Sequence, residues 1–325
     1  MKKKLLAVFA CACAAAMALA LAGCSSSSSS SKELRFVTGG ESGTYYAYGS
    51  VLAQYATNNA GLNVNALSSE GSKANVQSLE AGEAELAFCQ TDVATYAYKG
   101  TNLFDGAAYT DFSVVAALYP EQVQIVTCDS SIKTVADLKG KTVSVGAANS
   151  GVYFNAVDIL GAYGIDVKSD ISAVYQNFAD SADSLKNGKV DAAFIVAGAP
   201  TTAITDLSTS KQAYLVSMDA EHIAKLQETS PYYATATIPA GTYSGMESDT
   251  TTVSVLSVVL ANNSVSEDDV YAFTKSLFDG AQNNAEAHAK YKELSLETAS
   301  SITSVPYHAG AAKYFKEQGV EVPTA

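Results

Sequence analysis

The stretch TGGESGTYYAYG, residues 38–49, joins a short apolar run at Leu34–Val37 to a segment that we expect to be helical over Thr44–Ala56. Its glycines let the backbone turn sharply and approach a ligand closely. The helix that follows offers free N–H groups and the positive end of its dipole, which favour anions. The stretch therefore predicts a strand–loop–helix unit whose loop binds an anion. The simpler interpretation is that Ser42 or Thr44 only caps the helix.

The same unit occurs a second time along the chain. ESGTYY at Glu41–Tyr46 returns as NSGVYF at Asn149–Phe154, and LEAGEAELAF at Leu79–Phe88 returns as LKNGKVDAAF at Leu185–Phe194. Two similar strings in the same order predict two lobes of one topology. In open α/β sheets such loops line the crevice at the carboxyl ends of the strands. The repetition favours two anion-binding loops that face each other across a cleft over simple capping.

Apolar runs of strand length alternate with helical patterns through the rest of the sequence. We expect strands at 34–37, 63–67, 86–89, 112–118, 123–127, 142–145, 174–175, 192–196 and 253–260, and helices at 44–56, 72–81, 135–139, 151–163, 181–187, 267–283, 296–302 and 309–318. This order predicts an α/β fold with a mostly parallel sheet covered by helices on both faces.

The first residues of the chain have the pattern of an export signal. Lys2–Lys4 precede an apolar stretch over Leu5–Ala22, and Leu21–Cys24 reads LAGC, which resembles the bacterial lipobox with its lipidated cysteine. We expect a lipoprotein signal peptide over residues 1–23, a lipid on Cys24, and a flexible Ser-rich tether over residues 24–33. The alternative is a plain transmembrane anchor, since the apolar stretch could just span a bilayer.

The charge of the remaining chain excludes some classes of partner. Without Lys2–Lys4 the 20 basic residues become 17 against 33 acidic ones, a net charge of −16. This excess argues against nucleic acid and against charge-driven binding to a lipid surface. Cys89 and Cys128 lie in or beside apolar runs, where buried free thiols are common, although an exported pair could also form a disulfide.

No catalytic or metal-binding motif is complete in the sequence. The Gly-x-Ser-x-Gly motif of esterases is absent, and Ser130–Lys133 matches Ser-x-x-Lys without its companion motifs. Gly140–Thr142 lacks the first glycine of a P-loop and is better interpreted as the end of a helix. His222, His288 and His308 have no ligand spacing. We therefore predict neither an enzyme nor a protein with a metal or a cofactor.

From about Leu34 to Gly319 the sequence resembles the TAXI family, the extracytoplasmic solute receptors of one branch of the TRAP transporters. The matching strings, in family order, are TGGESGTYYAYG, GEAELAFCQTDVA, AALYPE, VADLKGKTVSVG, NSGV, DAAFIVAGAPT and YYATATIPAGTY. The resemblance implies a type II periplasmic-binding-protein fold, with two doubly wound lobes, a ligand cleft and a hinge. Lobe I would comprise residues 34–121 and 253–325, and lobe II residues 122–252.

The function that the resemblance implies is that of a solute receptor. It would be a monomer, anchored to the outside of the cell membrane by its lipid, that delivers glutamate, glutamine or a ligand like 2-oxoglutarate to a polytopic, sodium-driven membrane subunit. One alternative is a receptor of the same fold that feeds an ATP-driven importer with a thiamine precursor or a sulfonate. The other is an exported α/β hydrolase, which the missing catalytic motifs disfavour.

The resemblance also implies which residues contact the ligand. They are Gly43, Thr44, Tyr45, Ser72, Gln90, Tyr119, Asn149, Ser150, Gly151 and Ala197. Glu41 and Glu70 stand where the family usually has small residues, and Lys73 stands where it has an apolar one. We expect the amino acid to be preferred over the keto-dicarboxylate, because Glu41 would repel a second anion. The only arginine, Arg35, lies at the other end of the first strand, so we expect no arginine at the ligand carboxylate.

Overall fold

The computed structural model describes residues 32–324, of which residues 33–324 form one compact unit. The predicted signal peptide, the lipid on Cys24 and the tether as far as residue 31 lie outside the described residues. Within residues 32–324, no helix is both long enough and apolar enough to cross a membrane. Cys89 and Cys128 are both free thiols in the structure.

Ten strands of the described chain form one mixed sheet. They are β1 (Glu33–Val37), β2 (Asn63–Leu67), β3 (Leu86–Gln90), β4 (Phe112–Thr127), β5 (Thr142–Ser144), β6 (Ser172–Val174), β7 (Ala192–Ala197), β8 (Tyr214–Leu215), β9 (Ala234–Ile238) and β10 (Thr250–Asn262). The α-helices are α1 (Thr44–Asn59), α2 (Ser72–Glu80), α3 (Thr91–Lys99), α4 (Gly151–Ala162), α5 (Phe178–Lys186), α6 (Thr202–Ser210), α7 (Ala220–Thr229), α8 (Glu267–Asn283), α9 (Leu296–Ala299) and α10 (Ala309–Glu317).

The order of the strands reproduces the repeat seen in the sequence. The sheet runs β2-β1-β3-β10-β4-β7-β5-β6, with β8 beside β4 and β9 beside β10. Strands β1, β2 and β3 pair in parallel, and so do β5, β6 and β7. Each triplet alternates with two helices, and the triplets are arranged symmetrically on either side of the β10–β4 pair. The two similar sequence strings therefore correspond to two βαβαβ units of the same topology.

The centre of the sheet differs from the mostly parallel arrangement that we expected. Strands β4 and β10 pair with each other and with all their neighbours in the antiparallel direction. The runs predicted as separate strands at 112–118 and 123–127 form the single strand β4. Pro120 does not interrupt it, because β4 pairs with β7 only from Gln122 onward, so the missing N–H leaves no gap in that ladder.

The apolar core consists of separate clusters that share only a few elements. One large cluster includes Phe36 of β1, Phe88 of β3 and Phe273 of α8. A second surrounds Ile159 of α4 and Phe194 of β7, and a smaller third cluster lies against the other face of β7. Strands β4 and β10 contribute side chains to the first two clusters, because one half of each strand lies in each cluster.

Candidate functional site

A cavity of about 890 Å³ lies where the two βαβαβ units meet. Its walls come from the residues that follow β1, β2, β5 and β6 and from the last residues of β3 and β7. All six strands of the two parallel triplets thus end at this cavity. This is the edge of an α/β sheet at which ligands usually bind.

Four helices begin at the cavity wall, and their first turns carry free N–H groups. They are α1, α2, α4 and α5, whose N-terminal residues Thr44, Ser72, Gly151 and Phe178 all line the cavity. No side chain caps α1 or α2. The interpretation that Ser42 or Thr44 serves only as a cap is therefore wrong, since Gly43 occupies the cap position. The arrangement suits an anion, because the positive ends of several helix dipoles converge on it.

Most of the residues predicted to contact the ligand lie together in the cavity wall. The eight that do so are Gly43, Thr44, Tyr45, Ser72, Gln90, Ser150, Gly151 and Ala197. They come from both units of the repeat and from strands that are distant in sequence. Their role in binding stays a prediction, but the sequence brings them to one place.

Tyr119 and Asn149, by contrast, do not line the cavity. The ring of Tyr119 is fully buried in the first core cluster, with Lys290 Nζ 5.2 Å from its centre. Asn149 connects two loops: its Nδ2 donates a hydrogen bond to Glu70 Oε2 at 3.0 Å, and its carbonyl accepts one from Ala74 N at 3.0 Å. Its side chain therefore joins the rims of the cleft instead of facing the cavity.

We call residues 38–46 the first junction and residues 145–154 the second junction. At the first junction, the N–H groups of Thr44 and Tyr45 form no hydrogen bond within residues 32–324. At the second, Ser150 Oγ donates to Ala147 O at 2.7 Å and accepts from Tyr153 N at 3.3 Å, so it caps α4. The N–H groups of Gly151 and Val152 also form no hydrogen bond within residues 32–324, so the two junctions differ in capping and side chains and not in free N–H groups.

Gln90 holds the second junction in place from the opposite side. Its Nε2 donates to Asn155 Oδ1 of α4 at 2.9 Å, and its Oε1 lies buried against Gly151 with no partner in the described chain. A β-carbon at position 151 would clash with that oxygen, so the buried Gln90 amide would have to shift to admit any larger residue. The amide predicted to contact the ligand is thus largely occupied in bracing α4.

A buried polar network continues from this brace. Asn155 Nδ2 donates to Asp92 Oδ2 at 2.8 Å and to the hydroxyl of Tyr233 at 2.7 Å, and that hydroxyl in turn donates to Asp158 Oδ2 at 3.3 Å. Burial, together with the neighbouring Asp158 carboxyl, raises the pKa of Asp92 to about 7. The network links α3 to α4 and to the segment that follows α7.

The sequence reasoning missed Glu121, which lines the cavity from strand β4. Its side chain is 2 % exposed, and its Oε2 accepts a hydrogen bond from the hydroxyl of Tyr45 at 2.6 Å. Burial raises the pKa of the Glu121 carboxyl to about 8, against the lowering effects of the Tyr45 hydrogen bond and of Lys290. The available signal was a carboxylate within a mostly apolar strand, at the end of the string AALYPE that resembles the TAXI family.

Arg35 and Lys73, the basic residues discussed in the sequence analysis, do not line the cavity. Arg35 forms a two-point ion pair with Glu85, with Nε and Nη2 each 2.9 Å from a carboxylate oxygen. Lys73 Nζ donates to Leu103 O at 3.4 Å and lies 5.9 Å from the ring of Phe104. Within residues 32–324, no group of three His, Cys, Asp or Glu residues could hold a metal ion.

The chain is similar to one known sequence family and to several solved structures. The sequence profile of the NMT1-like family matches residues 36–319. A solved structure described as a periplasmic transporter is 14% identical with a TM-score of 0.55, over 88% of this chain and 93% of that one. A protein from Bordetella bronchiseptica is 17% identical with a TM-score of 0.50, over 87% and 88%. The periplasmic aliphatic sulphonate binding protein SsuA from Escherichia coli is 16% identical with a TM-score of 0.46, over 88% and 90%. The predicted periplasmic-binding-protein fold is confirmed.

Proposed function

The chain belongs to the NMT1-like family, and we propose that it is an extracytoplasmic solute-binding protein that captures a small carboxylate in the cavity. The observation that carries this proposal is the convergence of four helix N-termini on a cavity whose described wall contains no lysine or arginine. A carboxylate there would accept hydrogen bonds from the free N–H groups of Thr44 and Tyr45.

Capture would involve two lobes, lobe I of residues 34–121 and 253–325 and lobe II of residues 122–252. Strands β4 and β10 would connect them, since each contributes to both large core clusters. Several contacts join the rims of the cleft, among them the Glu70–Asn149 hydrogen bond and the bond from Thr44 Oγ1 to Gly198 O at 3.2 Å. Hinge motion about the two strands would make and break these contacts.

The finer proposal follows the resemblance to the TAXI receptors. The solute would be glutamate, glutamine or a ligand like 2-oxoglutarate, and the partner would be the membrane subunit of a TRAP transporter. Lipid on Cys24 would keep the receptor at the membrane, outside the cell. The acidic residues at the cleft, Glu41 and Glu70 among them, fit an amino acid better than a second carboxylate.

The test uses the compact body, residues 32–325, without the signal and the tether. Mass spectrometry of the purified protein under native conditions would identify any solute that is carried along. Titration calorimetry would then compare glutamate, glutamine, 2-oxoglutarate and an alkanesulfonate. We expect one carboxylate to bind at a one-to-one ratio. Binding of the sulfonate alone would favour the ATP-driven alternative, and binding of none of these anions would contradict the proposal.

A further inference from the structure

Glu121 is a carboxylate held rigidly at the wall of the cavity. It lies within β4, and its backbone is opposite Val255 of β10 in the centre of the sheet. The ring of Tyr45, which donates the hydrogen bond to its Oε2, is in turn stacked on Phe88 with the ring centres 4.5 Å apart. A site built on paired strands and stacked rings keeps its geometry better than one on loops.

The carboxylate has fewer partners than a buried acid requires. Oε2 accepts the one hydrogen bond from Tyr45, and Oε1 has no hydrogen-bond partner within residues 32–324. Removing a carboxylate from water without pairing it is costly. Because Glu121 lines the cavity, a donor group on a bound molecule could supply the missing partner.

The surrounding charges show what kind of donor is missing. The charged side chains in the described cavity wall are all acidic: Glu41, Glu70, Glu121 and Asp180. The nearest cation, Lys290, lies outside the wall, where its Nζ binds Glu293 Oε1 at 2.6 Å. The protein therefore offers no cation at the cavity side of Glu121, and a positively charged ligand group would be attracted there.

Tyr45 connects this acidic group to the anion-binding end of α1. Its backbone N–H belongs to the uncapped first turn, and its phenol contacts Glu121. One residue thus spans two sites of opposite preference, as a zwitterion requires. We propose that Glu121 is the counter-ion of a primary ammonium group on the ligand, so that the solute is an amino acid and not a keto-dicarboxylate. This inference rests on the proposed solute-binding function.

The proposal predicts that binding is linked to a proton. With a pKa of about 8, Glu121 is mostly protonated in the empty site at pH 7, and an ammonium group binds the ionised form. Binding therefore releases a proton, and affinity rises by about tenfold per pH unit between pH 6 and 7, levelling off near 8. The titratable groups that face Glu121 are Tyr45 from α1, Cys89 from β3, Asp92 from α3, Tyr119 from β4 and Lys290 from a 3-10 turn, with Glu41, Glu70 and Asp180 across the cavity.

Calorimetry of wild type and Glu121→Gln tests the inference with four probes: glutamine, glutamate, 2-oxoglutarate and cadaverine, which has amines but no carboxylate. The matched control is Glu80→Gln, an exposed charge on α2 outside the cavity wall. We expect Glu121→Gln to lose about a hundredfold in affinity for the amino acids and to lose the proton release, measured in buffers of different ionisation enthalpy. Glu80→Gln should match wild type. Thermal unfolding establishes that both variants are folded.

A second variant keeps the test informative if Glu121→Gln does not fold. Tyr45→Phe removes the donor that stabilises the ionised carboxylate, so the pH at which amino-acid affinity levels off should move upward. A purely structural role for Tyr45 would leave that pH unchanged and would count against the inference.

The remaining outcomes separate this inference from the proposed function. Wild type that binds 2-oxoglutarate more tightly than both amino acids would overturn the ammonium site and leave a carboxylate receptor. Binding of cadaverine through Glu121, with no binding of any carboxylate, would support the ammonium site and overturn the carboxylate proposal. Equal amino-acid affinity in wild type and Glu121→Gln, with no proton released, would overturn the inference.

Discussion

The first and second junctions come from the same repeated sequence motif, and yet they differ in what they offer the cavity. At the first junction, the turn of α1 is uncapped and the phenol of Tyr45 contacts Glu121. At the second, Ser150 caps its own helix and Gly151 packs on the buried amide of Gln90. The repeat therefore determines topology, while individual side chains determine chemistry. We infer that the first junction binds the solute and that the second holds the cleft together.

The buried network around Asp92 and Asn155, which lies behind the second junction, should make the free energy of unfolding depend on pH. Asp92 has a pKa of about 7 in the folded chain, above its ordinary value of 3.8, so its contribution to stability is complete below about pH 4 and is lost as the pH rises through 7. The loss is up to about 4 kcal/mol. We expect urea denaturation to show a lower free energy of unfolding at pH 8 than at pH 5, and Asp92→Asn to reduce that difference.

The matched control for this experiment is Asp206→Asn, an exposed acid on α6, which should keep the wild-type pH dependence. An unchanged slope in Asp92→Asn would show that the buried network does not titrate in this range.

Close packing at the second junction should make it intolerant of a single methyl group. Gly151→Ala would place a β-carbon against Gln90 Oε1 and force the buried amide to shift, and we expect a loss of about 1–3 kcal/mol in unfolding free energy. Gly161→Ala is the control on the same helix, because nothing lies within 4 Å of the added carbon. It should be neutral or stabilising by up to about 1 kcal/mol. Equal effects of the two substitutions would contradict the close packing of Gly151 against the Gln90 amide.

The accuracy with which the sequence predicted each strand and helix depends on how regular its apolar pattern is and how clearly its ends are marked. Strand β2 and helix α8 have the predicted bounds, because their apolar patterns are regular and their ends carry clear signals. Helix α3 was not predicted: it follows β3 directly at Thr91 with no turn signal between them, and seven of its residues are buried. The strands of the repeat were predicted from their apolar runs, and the two similar strings predicted that the units share one topology.

The site was predicted less completely than the fold. The repeat and the topology predicted the two loops, and the family resemblance predicted individual residues on them, such as Gly43 and Ser150. In β4 the string was identified, but we chose Tyr119, whereas Glu121 is the residue that lines the cavity. Both lie within one buried strand, and only the tertiary structure shows which of them meets the open space. The same holds for Asn149, whose contact with Glu70 depends on how the two loops meet.

At the first junction, substitution should weaken binding more than it lowers stability. Tyr45→Phe removes the hydrogen bond to the Glu121 carboxylate, and such bonds to charged groups contribute roughly 1.5–3 kcal/mol. We expect amino-acid affinity to fall by about tenfold to a hundredfold in calorimetry. Because Glu121 is mostly protonated in the empty protein at pH 7, the bond lost there joins neutral groups, and the free energy of unfolding should fall by only about 1 kcal/mol. A variant that unfolds earlier and binds normally would reverse the roles that we assign to the two junctions.

At the second junction, the loss of the helix cap should lower stability more than it weakens binding. Ser150→Ala removes the side-chain acceptor for Tyr153 N and should lower the unfolding free energy by about 1 kcal/mol. Ser150→Thr, which keeps the hydroxyl, is the control and should restore most of that loss. We expect affinity to change less than in Tyr45→Phe. A larger loss of affinity than in Tyr45→Phe would place a ligand contact at Ser150 Oγ.

The most direct measurement is a crystal structure of residues 32–325 with the amino acid that binds most tightly. We predict one ligand in the cavity, with its carboxylate at the N–H groups of Thr44 and Tyr45 and its ammonium group at Glu121 Oε1. Arg35 should remain paired with Glu85, away from the ligand. A ligand whose carboxylate lies at the second junction, with Thr44, Tyr45 and Glu121 unoccupied, would contradict the division of roles between the two junctions.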